Sequence, residues 1–235
     1  MLILGLDTAG EQGSVGVTRE DSHISEIAFP AALKQGEKLP QALDMSLKLA
    51  EIQRDELELI AVSMGPGSFT GLRIGIAMAK GLARALEIPL VGVLACEAYA
   101  RTAAFWEGPV WVILSDRRDW IYYGSYQRGK QCRPLQAASI ETLTEAVHLS
   151  LTSDHQGEKT LFIGPGAEQY RERLARSFDP GVVAPALLNR PSGLQIARLG
   201  WEKYHSSARD ELYDLEPSYL QAPLAEPRYE SMNIR

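Results

Sequence analysis

The sequence predicts an α/β protein of two similar lobes, each a mixed sheet flanked by helices, and three observations support this prediction. The predicted order of strands and helices occurs twice along the 235 residues. A Gly-Pro-Gly turn follows a strand in each half, at 65–67 and at 164–166. Each half also places an aspartate close after its first strand, Asp7 and Asp116. A repeat of this kind indicates one fold used twice.

The first half reads as an antiparallel meander followed by alternating helices and strands. The predicted elements are strands 2–6, 14–18 and 23–29, a helix 39–50, a strand 57–64, a helix from about 70 to 86, a strand 90–94 and a helix 96–104. Short connections between the first three strands favour antiparallel pairing. Pro40 suits the first turn of its helix. The fully apolar run 90–94 is typical of a strand inside a parallel sheet.

The second half repeats this order. Its predicted elements are strands 110–114 and 120–126, a weaker strand 131–135, a helix 140–150, a strand 160–163, a helix 167–177, a short strand 182–183 and a helix 192–204. No linker rich in Pro or Ser separates the halves. We therefore expect a first lobe at 1–106, a second lobe at 107–216 and an extended polar tail at 217–235.

Composition excludes several classes of protein. A net charge of -6 argues against a surface that binds nucleic acid through charge alone. The only two cysteines, Cys96 and Cys132, are too few for a disulfide scaffold and are expected to be reduced thiols. No apolar run is long enough to span a membrane, and the first residues do not resemble a signal peptide. We therefore expect a cytoplasmic protein.

The two aspartates allow two interpretations. Carboxylates at strand ends that face one cleft hold magnesium or orient a water in phosphate-transfer enzymes. Aspartate is also common where a side chain closes a turn. Spacing alone favours the turn interpretation for Asp7 and Asp116.

The glycine-rich loop at 65–71 also has two interpretations. Its glycines, with Ser68 or Thr70 as a helix cap, could leave backbone N–H groups open to an anion. The same glycines could simply let the helix pack closely on the sheet. The loop lacks the Lys-Ser or Lys-Thr ending of the Walker phosphate loop. The candidate nucleotide or anion site comprises Asp7, Gly65, Gly67, Ser68, Asp116, Gly164 and Gly166.

The helix after this loop is apolar on almost every side, which predicts burial on most sides. Glycines and alanines form ridges along it, and the helix at 39–50 carries two apolar stripes. Both helices could be covered within the chain, but the width of their apolar faces favours a partner protein. The predicted partner surface comprises Leu39, Ala42, Met45, Leu49, Gly71, Arg73, Gly75, Met78, Ala79 and Leu82.

Several blocks together resemble the bacterial TsaB (YeaZ) family. In chain order they are Asp7-Thr8-Ala9, the sequence GPGSFTGLR at 65–73, Asp116-Arg117-Arg118 before a strand with Tyr122, Gly164-Pro165-Gly166-Ala167, and Pro217-Ser218-Tyr219-Leu220. The resemblance covers nearly the full length. The block at 65–73 is the specific one, and the others add support through their order and spacing.

The resemblance implies an actin-like, RNase H-like fold and a part in forming threonylcarbamoyladenosine beside the anticodon of tRNAs that read codons beginning with A. In that system the paralogue TsaD transfers the threonylcarbamoyl group, TsaB is its inactive partner, and the ATPase TsaE joins them. The implied partners are TsaD, TsaE through that complex, a second copy when the protein is alone, and tRNA only indirectly. The implied surface is built from the first two helices, and no membrane is involved.

Two departures from the paralogue bear on chemistry. TsaD holds a metal through two histidines of its first helix, whereas the matching stretch here, 34–43, contains none. Pro165 removes one N–H donor from the second glycine turn. We therefore expect no metal and no cofactor, with binding of ATP or ADP left open.

The leading hypothesis is thus a non-catalytic activator of TsaD rather than an enzyme. The alternative is an ATP-dependent phosphoryl or carbamoyl transferase that uses both aspartates and both glycine turns. A glycoprotein peptidase ranks below these, because the sequence has neither an HExxH metal pair nor a GxSxG nucleophile.

Overall fold

The elements of the fold follow the predicted repeat. The computed structural model describes residues 1–30, 34–115, 120–153, 157–178, 181–207 and 209–218. The strands are β1 (Leu2–Asp7), β2 (Gln12–Arg19), β3 (Ser22–Pro30), β4 (Leu59–Ser63), β5 (Leu90–Val93), β6 (Val110–Ser115), β7 (Trp120–Gln127), β8 (Lys130–Ser139), β9 (Thr160–Ile163) and β10 (Gly181–Val183). The helices are α1 (Gln35–Ala50), α2 (Phe69–Leu86), α3 (Ala95–Thr102), α4 (Ile140–Ser153), α5 (Pro165–Gln169), α6 (Arg171–Ser177) and α7 (Gly193–Ser207), with a 3-10 turn at Arg54–Glu56.

The two sheets have the same topology. The first has the strand order β3-β2-β1-β4-β5 and the second β8-β7-β6-β9-β10. In each, the first three strands are antiparallel and the last two run parallel to the central strand. This confirms the predicted duplication of a mixed sheet.

Helix α1 begins at Gln35, earlier than predicted, so Pro40 lies inside it and not in its first turn. Proline lacks the N–H that would bond to the carbonyl four residues earlier, and here that residue is Gly36. Only one bond near the start of the helix is lost, so the helix continues through the proline. In the second half, the single predicted helix at 167–177 is two short helices, α5 and α6, and β8 is longer than predicted.

Alternate residues of β1 face opposite sides of the first sheet. Leu2, Leu4 and Leu6 pack in one core with residues of α1 and α2. Ile3 faces the other side, where it packs with Ala197 of α7. Helix α7, which the sequence assigned to the second lobe, therefore covers the back of the first sheet. Glycine permits this approach, because a Cβ on Gly5 would overlap the backbone of α7.

A glutamate of β3 fixes the start of α7. Glu26 Oε1 accepts the Ser192 hydroxyl at 2.9 Å and the Leu194 N–H at 3.3 Å. It also accepts the hydroxyl of Ser14 at 2.9 Å, and Ser14 Oγ in turn accepts the Gly193 N–H at 3.0 Å. A carboxylate at a helix N-terminus satisfies open N–H groups and interacts favourably with the helix dipole.

We expect Glu26→Ala to lower the free energy of unfolding by about 1 kcal/mol, since it removes a charged acceptor from an exposed helix start. Glu26→Gln is the matched control, because it keeps an acceptor oxygen and removes only the charge, so it should lose about half as much. Urea unfolding of both variants measures this. Equal stability of Glu26→Ala and the parent chain would show that the cap contributes nothing.

The free edge of β5 is covered by residues 209–218, here called the edge segment. Leu90 N–H donates to Asp210 Oδ1 at 3.0 Å, and the Glu211 N–H donates to the Leu90 carbonyl at 2.8 Å. Gly92 N–H donates to Glu211 Oε2 at 2.7 Å. Leu215 is buried in the core of the first lobe. The edge segment therefore occupies hydrogen-bonding groups that an exposed sheet edge would offer to another chain.

The lobes share one apolar cluster. Cys96, Tyr99 and Ala100 of α3 pack with Val112 and Tyr126 of the second sheet. Neither Cys96 nor Cys132 forms a disulfide, as predicted. Among the described helices, none combines the length and apolar character needed to cross a membrane.

Candidate functional site

Asp7 lies at the end of β1 and is 1% exposed. Its Oδ1 accepts the Ala9 N–H at 3.0 Å, so the carboxylate closes the turn as the turn interpretation predicts. Its Oδ2 has no hydrogen-bond partner among the described residues. Burial raises the pKa of Asp7 from its ordinary 3.8 to about 6, against the opposing effects of the Ala9 N–H and the nearby Ser63 hydroxyl, while the charge of Glu26 adds to the rise. Asp116 lies outside the described residues, so the pairing of the two aspartates stays a prediction.

The loop between β4 and α2 packs on the turn that follows β1. Ser68 caps α2, because its Oγ accepts the Gly71 N–H at 3.2 Å. The Ser68 N–H itself donates to the Ala9 carbonyl at 2.7 Å. A Cβ on Gly67 would overlap this same carbonyl. Close packing therefore accounts for Gly67, whereas anion binding by the loop stays a prediction.

Two glycines of α2 also lie against the turn that follows β1. A Cβ on Gly71 would overlap the Thr8 carbonyl, and one on Gly75 would overlap the Thr8 hydroxyl. The buried side chain of Gln35, in the first turn of α1, donates from Nε2 to the Thr8 carbonyl at 3.0 Å. Both helices are thus fixed to the turn after β1. Sequence reasoning missed Gln35, since one glutamine at a helix start gives no signal of a contact with residue 8.

In the second glycine turn, a side chain of the same chain already accepts a hydrogen bond from a backbone N–H. Gly164, like Gly65, has a positive φ, 109° against 97°. Its N–H donates to Asn189 Oδ1 at 2.8 Å. Asn189 Nδ2 donates to Glu168 Oε2 at 3.0 Å and to the Ala184 carbonyl at 3.1 Å. The carboxylate of Glu168 therefore lies close to the turn, where it disfavours a second anion. Asn189 was not predicted, because nothing in the sequence links it to a turn so far away along the chain.

The residues of the predicted partner surface fall into two groups, one buried inside the chain and one exposed or partly exposed. Several face the interior of the chain and cannot meet a partner in this conformation, which corrects the sequence prediction: Leu39, Ala42, Gly71, Gly75 and Ala79. The physical reason is that the small residues let α2 lie directly on the turn after β1 and on the sheet. The remaining members reach the surface fully or partly: Met45, Leu49, Arg73, Met78 and Leu82.

One row of small residues on α2 faces outward. Together with an exposed methionine and an exposed leucine of α1, it defines the surface here called the outer strip. Its members are Met45, Leu49, Ala77, Gly81 and Ala85, with Met78 and Leu82 half-buried beside them. Met45 is 56% and Leu49 69% exposed. A Cβ on Gly81 would have no atom within 4 Å. The strip is therefore apolar and low in relief, as a surface for close helix packing should be.

A basic edge borders the outer strip. Arg73, Lys80 and Arg84 recur at helical spacing along α2. The Arg73 guanidinium lies 3.8 Å from the ring centroid of Phe69. Among the described residues, no group of three or more His, Cys, Asp or Glu side chains could hold a metal ion.

Comparison with known proteins gives consistent results. The family model "TsaD: tRNA N6-adenosine threonylcarbamoyltransferase" matches residues 30–227. The tRNA threonylcarbamoyladenosine biosynthesis protein TsaB of Bacillus subtilis (strain 168) is 27% identical over 230 residues, which cover 97% of this chain and 98% of that protein.

Two solved structures from Pseudomonas aeruginosa share the fold. YeaZ has a TM-score of 0.75 at 25% identity and covers 93% of this chain and 99% of its own. A second, described as an uncharacterized protein with similarity to peptidase YEAZ, has a TM-score of 0.79 at 24% identity, with 94% and 99% covered. The likeness extends over both lobes.

Proposed function

Because this chain belongs to the TsaB (YeaZ) family, we propose that it takes part in forming threonylcarbamoyladenosine in tRNA, as a non-catalytic partner and activator of TsaD. The observation that carries the proposal is the outer strip. It comprises exposed apolar side chains of α1 and, on α2, a glycine with open space around it, and an exposed apolar surface of this kind is usually covered in a complex. TsaD is the partner that the family relationship supports.

The absence of histidine from 34–43 supports a non-catalytic role. This stretch includes the start of α1, the helix that carries the metal ligands in the paralogue according to the resemblance. Here its first residue, Gln35, is committed to a backbone contact with Thr8. The beginning of α1 thus holds the helix in place and does not present a reactive group.

Reconstitution tests the proposal. TsaD, TsaE, ATP, a donor of the threonylcarbamoyl group and tRNA would be combined with and without this chain, and the modified nucleoside would be measured by mass spectrometry. We expect modification at least about tenfold faster when the chain is present, a barrier difference of about 1.4 kcal/mol or more. An equal rate without the chain would refute the activator role.

The ATP-dependent transferase finds less support in the geometry. Asn189 already accepts the Gly164 N–H, Pro165 offers none, and Glu168 adds negative charge nearby. Titration calorimetry of the isolated chain with Mg-ATP separates the two functions. Binding together with turnover would favour the transferase, whereas the activator requires neither.

Self-pairing belongs to the same proposal. An apolar surface that is exposed when TsaD is absent can also pack against a second copy of the chain. We therefore expect the isolated chain to form dimers that TsaD displaces. Light scattering with increasing amounts of TsaD would show whether a homodimer gives way to a mixed complex.

A further inference from the structure

Tyr213 is highly exposed although the backbone around it is firmly held. Its side chain is 78% exposed. On one side, Glu211 bonds to β5 through both its N–H and its carboxylate. On the other side, Leu215 is buried in the first-lobe core and the Ser218 N–H donates to the Met64 carbonyl at 2.7 Å. The edge segment thus presents a tyrosine on a fixed backbone.

Tyr213 is also next to α2. Lys80 Nζ lies 3.4 Å from the Tyr213 carbonyl oxygen and donates to it. Lys80 belongs to the basic edge of α2, on the side away from α1, and Leu212 packs against the same core as both helices. The order across this side of the first lobe is therefore α1, α2 and the edge segment. The basic edge that borders the outer strip therefore reaches the backbone of Tyr213 through Lys80.

Two physical arguments indicate that this extension binds a protein. Tyrosine is enriched among the residues that dominate interface energies, and a fixed backbone lowers the entropy lost on binding. The basic edge adds charge, since Arg84 forms no ion pair with any carboxylate in the described part of the chain. A partner that covers Lys80 and Arg84 needs carboxylates opposite them.

We propose that Tyr213 and the basic edge form one end of the docking surface, and that the occupant is a protein face that is apolar opposite the outer strip and acidic opposite Lys80 and Arg84. This inference rests on the proposed function, which makes TsaD the protein that presents such a face. It assigns to the edge segment a part in recognition in addition to covering β5.

The test compares two substitutions in the full chain. Tyr213→Ala removes the exposed ring, and Leu187→Ala, 72% exposed in the second lobe, is the matched control. Binding to TsaD would be measured by calorimetry. We expect Tyr213→Ala to weaken binding by at least about tenfold, with Leu187→Ala within about twofold of the parent. Neither should change the melting temperature, because both side chains are exposed. Arg84→Glu should weaken binding most at low salt.

The outcomes separate this inference from the function on which it rests. If Gly81→Arg abolishes binding and Tyr213→Ala leaves it unchanged, TsaD binds the outer strip alone and the inference is wrong. If Tyr213→Ala weakens only self-pairing, measured by light scattering, the edge segment meets a second copy, which also overturns it. If the parent chain binds no TsaD, the proposed function fails first.

Discussion

Gly81→Arg is expected to abolish TsaD binding while the chain stays folded. Gly81 lies on the outer strip, and the space around a Cβ there is empty. A long charged side chain would hold a partner helix away from the strip, so affinity should fall by at least about a hundredfold. The monomer should gain up to about 1 kcal/mol, because arginine is a better helix former than glycine. Calorimetry with TsaD and thermal unfolding measure the two effects.

Two glycine-to-alanine variants provide the controls. Gly81→Ala should stabilise the chain and keep TsaD affinity within about threefold, since one methyl group fits the open space. Gly75→Ala should lower stability by about 2 kcal/mol, because its Cβ would overlap the Thr8 hydroxyl inside the chain. If Gly81→Arg binds TsaD as well as the parent does, the docking surface is not the outer strip.

Asp7→Asn is expected to change how stability depends on pH. The pKa of Asp7 is raised from 3.8 to about 6 in the folded chain, so the fold favours the protonated carboxyl. Its contribution is most favourable below pH 4 and is lost as the pH rises through 6. A difference of about 2 pKa units corresponds to about 3 kcal/mol lost across this window. Asparagine is neutral throughout, so the variant should be more stable than the parent at pH 7.5.

Urea unfolding at intervals between pH 4 and 7.5 measures this effect. Other carboxyl groups also titrate in that range, so the informative quantity is the difference between parent and variant at each pH. We expect this difference to grow in favour of the variant as the pH rises and to level off above 7. A constant difference would contradict the raised pKa.

The sequence was sufficient to predict two lobes of one fold, because the same order of strands and helices occurs twice along the chain. Matching glycine turns and the same order of elements require two copies of one sheet, and both sheets have the same strand order. The direction in which α2 faces was harder to predict. Its apolar residues surround the helix, so the pattern alone could not show that Gly75 faces inward and Gly81 outward.

Contacts between distant parts of the chain were beyond sequence reasoning. Asn189 reaches Gly164, and Glu26 reaches Ser192, through single polar side chains that leave no periodic pattern. The place of α7 was missed for a related reason, because its apolar stripe shows that it packs but not on which sheet. Tyr213 is exposed and lies outside any helix or strand, so no sequence pattern distinguishes it. Only its position beside Lys80 in the structure identifies it as a candidate for recognition.

The position of α7 and the edge segment also bears on how the protein is made. Residues 193–207 cover the rear face of the first sheet, and residues 209–218 cover its edge at β5. During synthesis, a nascent chain that has left the ribosome only as far as the second lobe therefore exposes one apolar face of its first sheet. The first lobe can therefore complete its fold only after residues 193–218 have been made, and we expect the uncovered face to favour aggregation until then.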